Sequence, residues 1–183
     1  MVMHKRVFLS GVHGVGKGYL IKNILSKIAG LSVISASEMI SKYHDPEDAG
    51  DKRVKDVGAN QILVLSALKK FLENYQGKVL LDGHLVILDS NDHIQRIPVD
   101  FFKKGMFDTL IVLQDNPDAI YDRLYTRDGV HKLDKGLISE IQSQEMKYAE
   151  ELEANGVEVC FITPYSAEER YLEYFRDGGT NEV

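Results

Sequence analysis

Short apolar runs alternate along this chain with segments whose apolar residues recur every three or four positions. The runs Val7–Leu9, Leu31–Ser35, Lys78–Asp82, Thr109–Leu113 and Val157–Ile162 read as five strands. Between them the spacing is helical. Ile21, Ile24, Leu25 and Ile28 share one face, with Gly30 as the stop. Ser37–Lys42 predicts a short helix that Tyr43, His44, Asp45 and Pro46 end, and the polar stretch 45–56 reads as an exposed loop. Leu65, Leu68 and Leu72 line the next helix. Residues 83–97 look irregular, and Pro98–Lys104 predicts a short helix ended by Gly105. Pro117 marks a helix start, where its missing N–H costs little. Leu137, Ile141, Tyr148 and Leu152 lie on one face of a long helix that Asn155 and Gly156 close. Ala167–Phe175 is a final helix, and the tail from Asp177 reads as frayed.

This alternation predicts an α/β protein: a five-stranded parallel sheet covered by helices on both faces, three layers in one domain over residues 1–183. Such sheets bind ligands at the carboxyl ends of their strands. Asp82, Asp115 and Thr163 all fall at or just past predicted strand ends. A net charge of −6 argues against a general nucleic-acid binder. The single cysteine, Cys160, excludes an internal disulfide framework and lies in an apolar run, as a small buried hydrophobe does. With no signal peptide and no membrane-length apolar stretch, a cytoplasmic protein is expected.

The segment Gly11-Val12-His13-Gly14-Val15-Gly16-Lys17-Gly18 carries the clearest chemistry. It joins strand one to a helix and matches GxxxxGK, the phosphate-binding P-loop. Its glycines let consecutive N–H groups converge on an anion, and the helix N-terminus adds its positive end. Lys17 then reaches the β- and γ-phosphates. As a loop lysine it is expected to add little to packing, so that Lys17→Ala removes turnover and spares the fold. Gly18 stands where most P-loops carry the Ser or Thr that binds Mg²⁺, which leaves the metal to water and to an acid elsewhere.

Asp82 is the candidate acid. At the end of an apolar strand it reads either as a Walker-B-type carboxylate acting through metal-bound water or as the cap of a turn with Gly83. His84 touches a phosphate, orients a water or packs. Arg123 and Arg127 are four residues apart and share a helical face, either as phosphoryl contacts or as a solvated surface. The short segment Gly129–Lys135, with His131, Lys132 and Lys135, suggests a small lid. Asp115, Asn116 and Asp118 read as an acidic patch or as helix capping.

Together these residues resemble the adenylate kinase-type nucleoside monophosphate kinases over roughly residues 5–170. GVHGVGKG is similar to that family's P-loop form, and LLDG at 80–83 to its third-strand motif. Ser35 and the following Ala36–Ile40 segment, with Glu38, resemble the start of its monophosphate-binding region. Arg123 and Arg127 resemble the arginines that begin its lid, and Thr163-Pro164 its loop beside adenine. Asp82-Gly83-His84 and the short lid are closest to the archaeal-type and small nuclear adenylate kinase-like group.

The resemblance implies a P-loop kinase fold with a monophosphate-binding insertion at about 36–75 and a lid at about 127–136. It implies ATP and Mg²⁺ as cofactors. Gly11, His13, Gly14, Val15, Gly16, Lys17, Gly18, Tyr19, Arg123, Thr163 and Pro164 would line the ATP site. Lys17, Arg123, Arg127 and Asp82 would act in transfer, with Asp82 holding Mg²⁺ through water. Ser35, Glu38, Gly83 and His84 fall in the acceptor region, and Arg53, Gln61 and Arg96 are candidates to supply its remaining contacts.

The chain departs from the family where Tyr19 replaces Thr, His13 replaces Pro, and Val86 and Ser41-Lys42 occupy positions of acceptor-phosphate arginines. The implied activity is γ-phosphoryl transfer from MgATP to AMP, dAMP or another nucleoside monophosphate. Two alternatives stay open. One is a kinase acting on a hydroxyl of a nucleoside or small metabolite, with Asp82 as the base. The other is an ATPase or nucleotide switch working through a protein partner.

Overall fold

A computed structural model describes residues 5–43, 57–89, 91–103, 107–129, 133–164 and 167–175. The elements follow one another as β1 (Arg6–Ser10), α1 (Lys17–Leu25), β2 (Leu31–Ser35), α2 (Ala36–Tyr43) and α3 (Val57–Asn74). Next come β3 (Lys78–Asp82), β4 (Val86–Leu88), β5 (Ile94–Arg96), α4 (Val99–Lys103) and β6 (Thr109–Leu113). The chain closes with α5 (Pro117–Asp128), α6 (Lys135–Ala154), β7 (Val159–Ile162) and α7 (Ala167–Phe175).

Five strands form a parallel sheet in the order β2-β3-β1-β6-β7, as the alternating pattern predicts. The innermost strands are the most apolar because both faces are covered: all five residues of β6 are buried. From β1 the chain steps outward to β2 and returns to β3 beside β1, then crosses to β6 on the other side. The direction of winding therefore reverses between β1 and β3, and a crevice opens at their carboxyl ends. The glycine-rich loop follows β1, and Asp82 ends β3, its Cα paired in register with Leu9.

Two expectations need correction. Residues 83–97 are not irregular: Val86–Leu88 pairs antiparallel with Ile94–Arg96. Asp89 closes this hairpin by accepting from the N–H groups of Asn91 and His93 and from the Gln95 amide. Of the expected inward face after β1, Ile24 and Ile28 are buried and Ile21 packs against the core, but Leu25 is 45% exposed and Leu20 is buried instead. Cys160 is buried and free, as its apolar run implies. No helix among the described residues is long and apolar enough to cross a membrane. Segment 45–56 and the tail from Asp177 lie outside the described residues.

Candidate active site

The loop between β1 and α1 owes its shape to its glycines. Gly11 has φ +142°, and a Cβ there would lie 2.6 Å from the Leu113 carbonyl oxygen. Gly14 has φ +84°, and a Cβ there would strike Leu124 of α5 at 2.7 Å. L-residues are disfavoured in this region of backbone space, and here neighbouring elements also fill the side-chain position. Gly16 precedes α1 in a left-handed conformation and provides no side-chain cap, which leaves the first amides of the helix facing the loop. Gly18 differs: nothing lies within 4 Å of a Cβ built there.

Lys17 is the first residue of α1 and only 9% exposed, which corrects the picture of a free loop lysine. Its Nζ donates to the Gly11 carbonyl at 2.7 Å, lies 3.4 Å from both ring nitrogens of His84, and lies 3.9 Å from Asp82 Oδ1. Burial pushes the ammonium below its ordinary value, while Asp82 and Glu145 push it back up. Removing Lys17 would leave Asp82 and Glu145 without this cation, so a loss of stability is expected alongside the loss of turnover.

Asp82 is 29% exposed, and its Oδ1 is buried without a hydrogen-bond partner among the described residues. Burial raises its carboxyl from the usual range; Lys17 lowers it, and the like charge of Glu38 raises it again. His84 packs against the His13 ring with centroids 4.4 Å apart. Both imidazoles are held neutral. Desolvation, then Lys17 and Arg127, push His13 down to about 4. Burial, then Lys17 and His13, hold His84 well below its ordinary value.

Arg123 is anchored at two points. Its Nε donates to the Gly14 carbonyl at 3.0 Å, and its Nη2 lies 2.7 Å from Asp115 Oδ2. Asp115 is fixed in turn: its backbone N–H donates to Gln142 and its carbonyl accepts from the Gln142 amide. The acidic patch thus divides, for Asn116 caps α5 by accepting from the Asp118 N–H while Asp115 holds the arginine. Arg127, 61% exposed, is forked onto Asp128 at 2.6 and 3.0 Å. These elements enclose a cavity of about 430 Å³ lined by residues of the loop and by Tyr19, Asp82, Arg123 and Arg127. The apolar side chains of Val12 and Leu124, which motif reasoning missed, complete the wall. Pro164 lies close to Gly16, with exposed Thr163 beside it.

The acceptor candidates are less gathered. Ser35 caps α2, its Oγ accepting from the Glu38 N–H at 3.4 Å. Gln61 is half-buried on α3. Gly83 is buried, and the space for a side chain there is filled by the Phe8 ring at 2.7 Å, so packing accounts for it. Arg96 lies on β5, paired with Glu151 at 2.6 Å and placed over the Tyr148 ring, and is not among the residues that line the cavity. Arg53, His131 and Lys132 lie outside the described residues. Of the expected lid, residues 127–129 and 133–136 are described: Gly129 closes α5 in a left-handed conformation, Asp134 caps α6 through the Leu137 N–H, and Lys135 pairs with Asp118 at 2.6 Å.

A model of the AAA domain family matches residues 10–142, more than half of the chain, from the end of β1 into α6. The chain belongs to the AAA domain family. Two solved structures share the fold of this AAA domain. The Deinococcus radiodurans tunicamycin resistance protein is 18% identical, with 94% of each chain covered and a TM-score of 0.67. A gluconokinase from Sinorhizobium meliloti 1021 is 13% identical, with 96% of this chain and 91% of that one covered and a TM-score of 0.54. The search of curated proteins found no match to this chain. Its fold is that of P-loop kinases, and these similarities do not single out the adenylate kinase type.

Proposed function

We propose that this chain is an ATP-dependent kinase that phosphorylates a hydroxyl group of a nucleoside or other small metabolite. The observation that carries the reading is Asp82. Its carboxylate stands at the mouth of the phosphate cavity, partly exposed and raised from the usual range by burial. A carboxylate tuned upward is suited to take a proton from an alcohol. The like charge of Glu38 on the acceptor side disfavours a dianionic acceptor such as a nucleoside monophosphate. The engagement of Arg96 by Glu151, and Val86 in the place of a family arginine, point the same way. A structural neighbour that is a gluconokinase supports a small-metabolite acceptor.

In this reading the loop amides and Lys17 hold the β- and γ-phosphates, and Arg123 and Arg127 meet charge on the transferring group. The acceptor oxygen attacks the γ-phosphorus and its proton passes to Asp82. The bond from γ-phosphorus to the β–γ bridging oxygen breaks, and ADP leaves. The buried, unbonded Asp82 Oδ1 fits a Mg²⁺-bound water, and the ion when present neutralises phosphate charge.

The test is ADP production from MgATP with nucleosides, sugars, sugar acids and nucleoside monophosphates, beside a control without acceptor. A hydroxyl compound is expected to raise turnover. With it, Asp82→Asn is expected to lower kcat by about 10²- to 10⁴-fold. Stimulation by a monophosphate, indifferent to Asp82→Asn, returns the adenylate kinase-like reading. Equal turnover with every acceptor favours an ATPase that works through a partner.

A further inference from the structure

Gln142, Glu145, Tyr148 and Glu151 follow one another on α6 at steps of three and form a polar ridge along the helix. Buried Glu145 ties the end of β1 to the segment after β3, accepting from Ser10 Oγ and from the N–H groups of Leu85 and Val86. Tyr148 donates to the Ile97 carbonyl, and Glu151 pairs with Arg96. Gln142 leads to the phosphate cavity. Its Oε1 accepts from the Asp115 N–H at 3.0 Å, and its Nε2 donates to the Asp115 carbonyl at 2.8 Å. One residue earlier, the Gln114 N–H still donates to Ile162 of β7 at 3.0 Å. The Gln142 amide therefore pairs the chain just past β6, where β1 has already turned into the phosphate loop. Asp115 Oδ1 accepts from the Asn116 N–H at 2.8 Å, which locks the carboxylate to its own backbone. Its Oδ2 meets Arg123 Nη2 at 2.7 Å without the alignment of a hydrogen bond, so the pair acts by charge. Arg123 Nε is taken by the Gly14 carbonyl. Its Nη1 has no partner among the described residues, and the guanidinium lines the cavity.

We propose that Gln142 is a positioning residue for the transferring phosphoryl group: by pairing with the Asp115 backbone it sets the carboxylate that aims Arg123 and leaves Nη1 of the guanidinium for the ligand. The inference rests on the phosphate-binding part of the proposed function and is independent of the acceptor. An apolar side chain would fill the half-buried place of Gln142 equally well, but it would leave the Asp115 N–H and carbonyl unpaired. Arg127 offers the contrast. It is 61% exposed and its fork closes on the adjacent Asp128, whereas Arg123 is braced, through Asp115, from a second helix. A group held in place before the ligand arrives spends little of its binding energy on reorganisation when charge develops.

The experiment is calorimetry of MgADP with and without aluminium fluoride, which beside ADP imitates the transferring phosphoryl group and needs no acceptor; circular dichroism checks folding. The wild type is expected to bind MgADP more tightly with aluminium fluoride than without it. Gln142→Met, of similar length but lacking the amide, is expected to weaken the fluoride complex about tenfold and to change MgADP affinity less than about twofold, because the charge that Arg123 meets is present only in the former. In an Arg123→Ala background the same substitution is expected to have no further effect. Equal losses with both ligands, no loss with either, or a full tenfold loss in the absence of Arg123 overturns the proposal. If the Met variant does not fold, Gln142→Asn, one methylene shorter, is expected to show a selective loss of about threefold, and an unchanged fluoride complex overturns the proposal. A wild type that binds MgADP but gains nothing from aluminium fluoride overturns this inference and leaves the phosphate site standing. One that binds no MgADP overturns the phosphate-site reading and this inference with it.

Discussion

The proposed donor and acceptor sides of the crevice are built differently. On the donor side every charged group has an assigned partner within the protein. Lys17 faces Gly11, His84 and Asp82; Arg123 is clamped by Asp115 and Gly14; Arg127 is forked onto Asp128. On the acceptor side Ser35 and Glu38 serve the start of α2, and Arg96 is spent on the surface of α6. A site for one invariant ligand group, a polyphosphate, can be fixed by the fold in advance. The acceptor side carries no comparable rigid constellation among the described residues, which is where neighbours of one fold diverge in substrate.

The largest effect that would break this contrast is at Lys17. Lys17→Met is expected to lower turnover by about 10³-fold or more. It is also expected to lower the melting temperature by several degrees, because Asp82 and Glu145 lose their cation. Unchanged thermal stability by scanning fluorimetry would restore the picture of a free loop lysine. Arg123→Ala comes next. It is expected to reduce kcat about 10²-fold with a smaller change in ATP affinity, since the charge it meets develops in the transition state. Asp115→Asn is expected to reproduce about a tenth of that loss by releasing the guanidinium. Equal losses of affinity and kcat would make Arg123 a ground-state contact.

A smaller effect comes from His13. Its native pKa of about 4 lies below the unfolded value of about 6.5, so the unfolded chain takes up the proton first. The contribution is complete above about pH 6.5 and is lost as pH falls from there towards about 4. Urea unfolding of His13→Asn is expected to show a shallower decline than wild type across that window, and parallel curves would count against a neutral His13. The smallest effect is at Arg96. Arg96→Ala is expected to cost about 1 kcal/mol or less of stability and to leave kinetics unchanged, as a partly exposed ion pair does. A raised KM for the acceptor would move Arg96 into the substrate site.

The sheet was legible because its strands are continuous apolar runs between turn signals, and Lys78–Asp82, Thr109–Leu113 and Ala167–Phe175 have the bounds their patterns give. The hairpin was not, because its strands have three residues each and alternate too briefly to show a period. The phosphate loop was legible because its glycines answer backbone demands. Glu145 was missed for the opposite reason, since a glutamate on a long helix usually faces water. Its position held the signal: it lies four residues after Ile141 and three before Tyr148, within the stripe that the helix buries. The burial of Lys17 has a similar origin, for it depends on Leu20 and Ile24 turning one face of α1 inward.

The fully buried β6 has a consequence for motion. Its amides lie between β1 and β7 with no residue reaching solvent, so they are expected to exchange hydrogen for deuterium only when the whole domain opens. The Leu113 carbonyl, at its end, is the atom against which Gly11 packs. The first turn of the phosphate loop is thus moored to the segment that opens last, and deuterium labelling would see the loop's root protected long after the helices at the rim have exchanged.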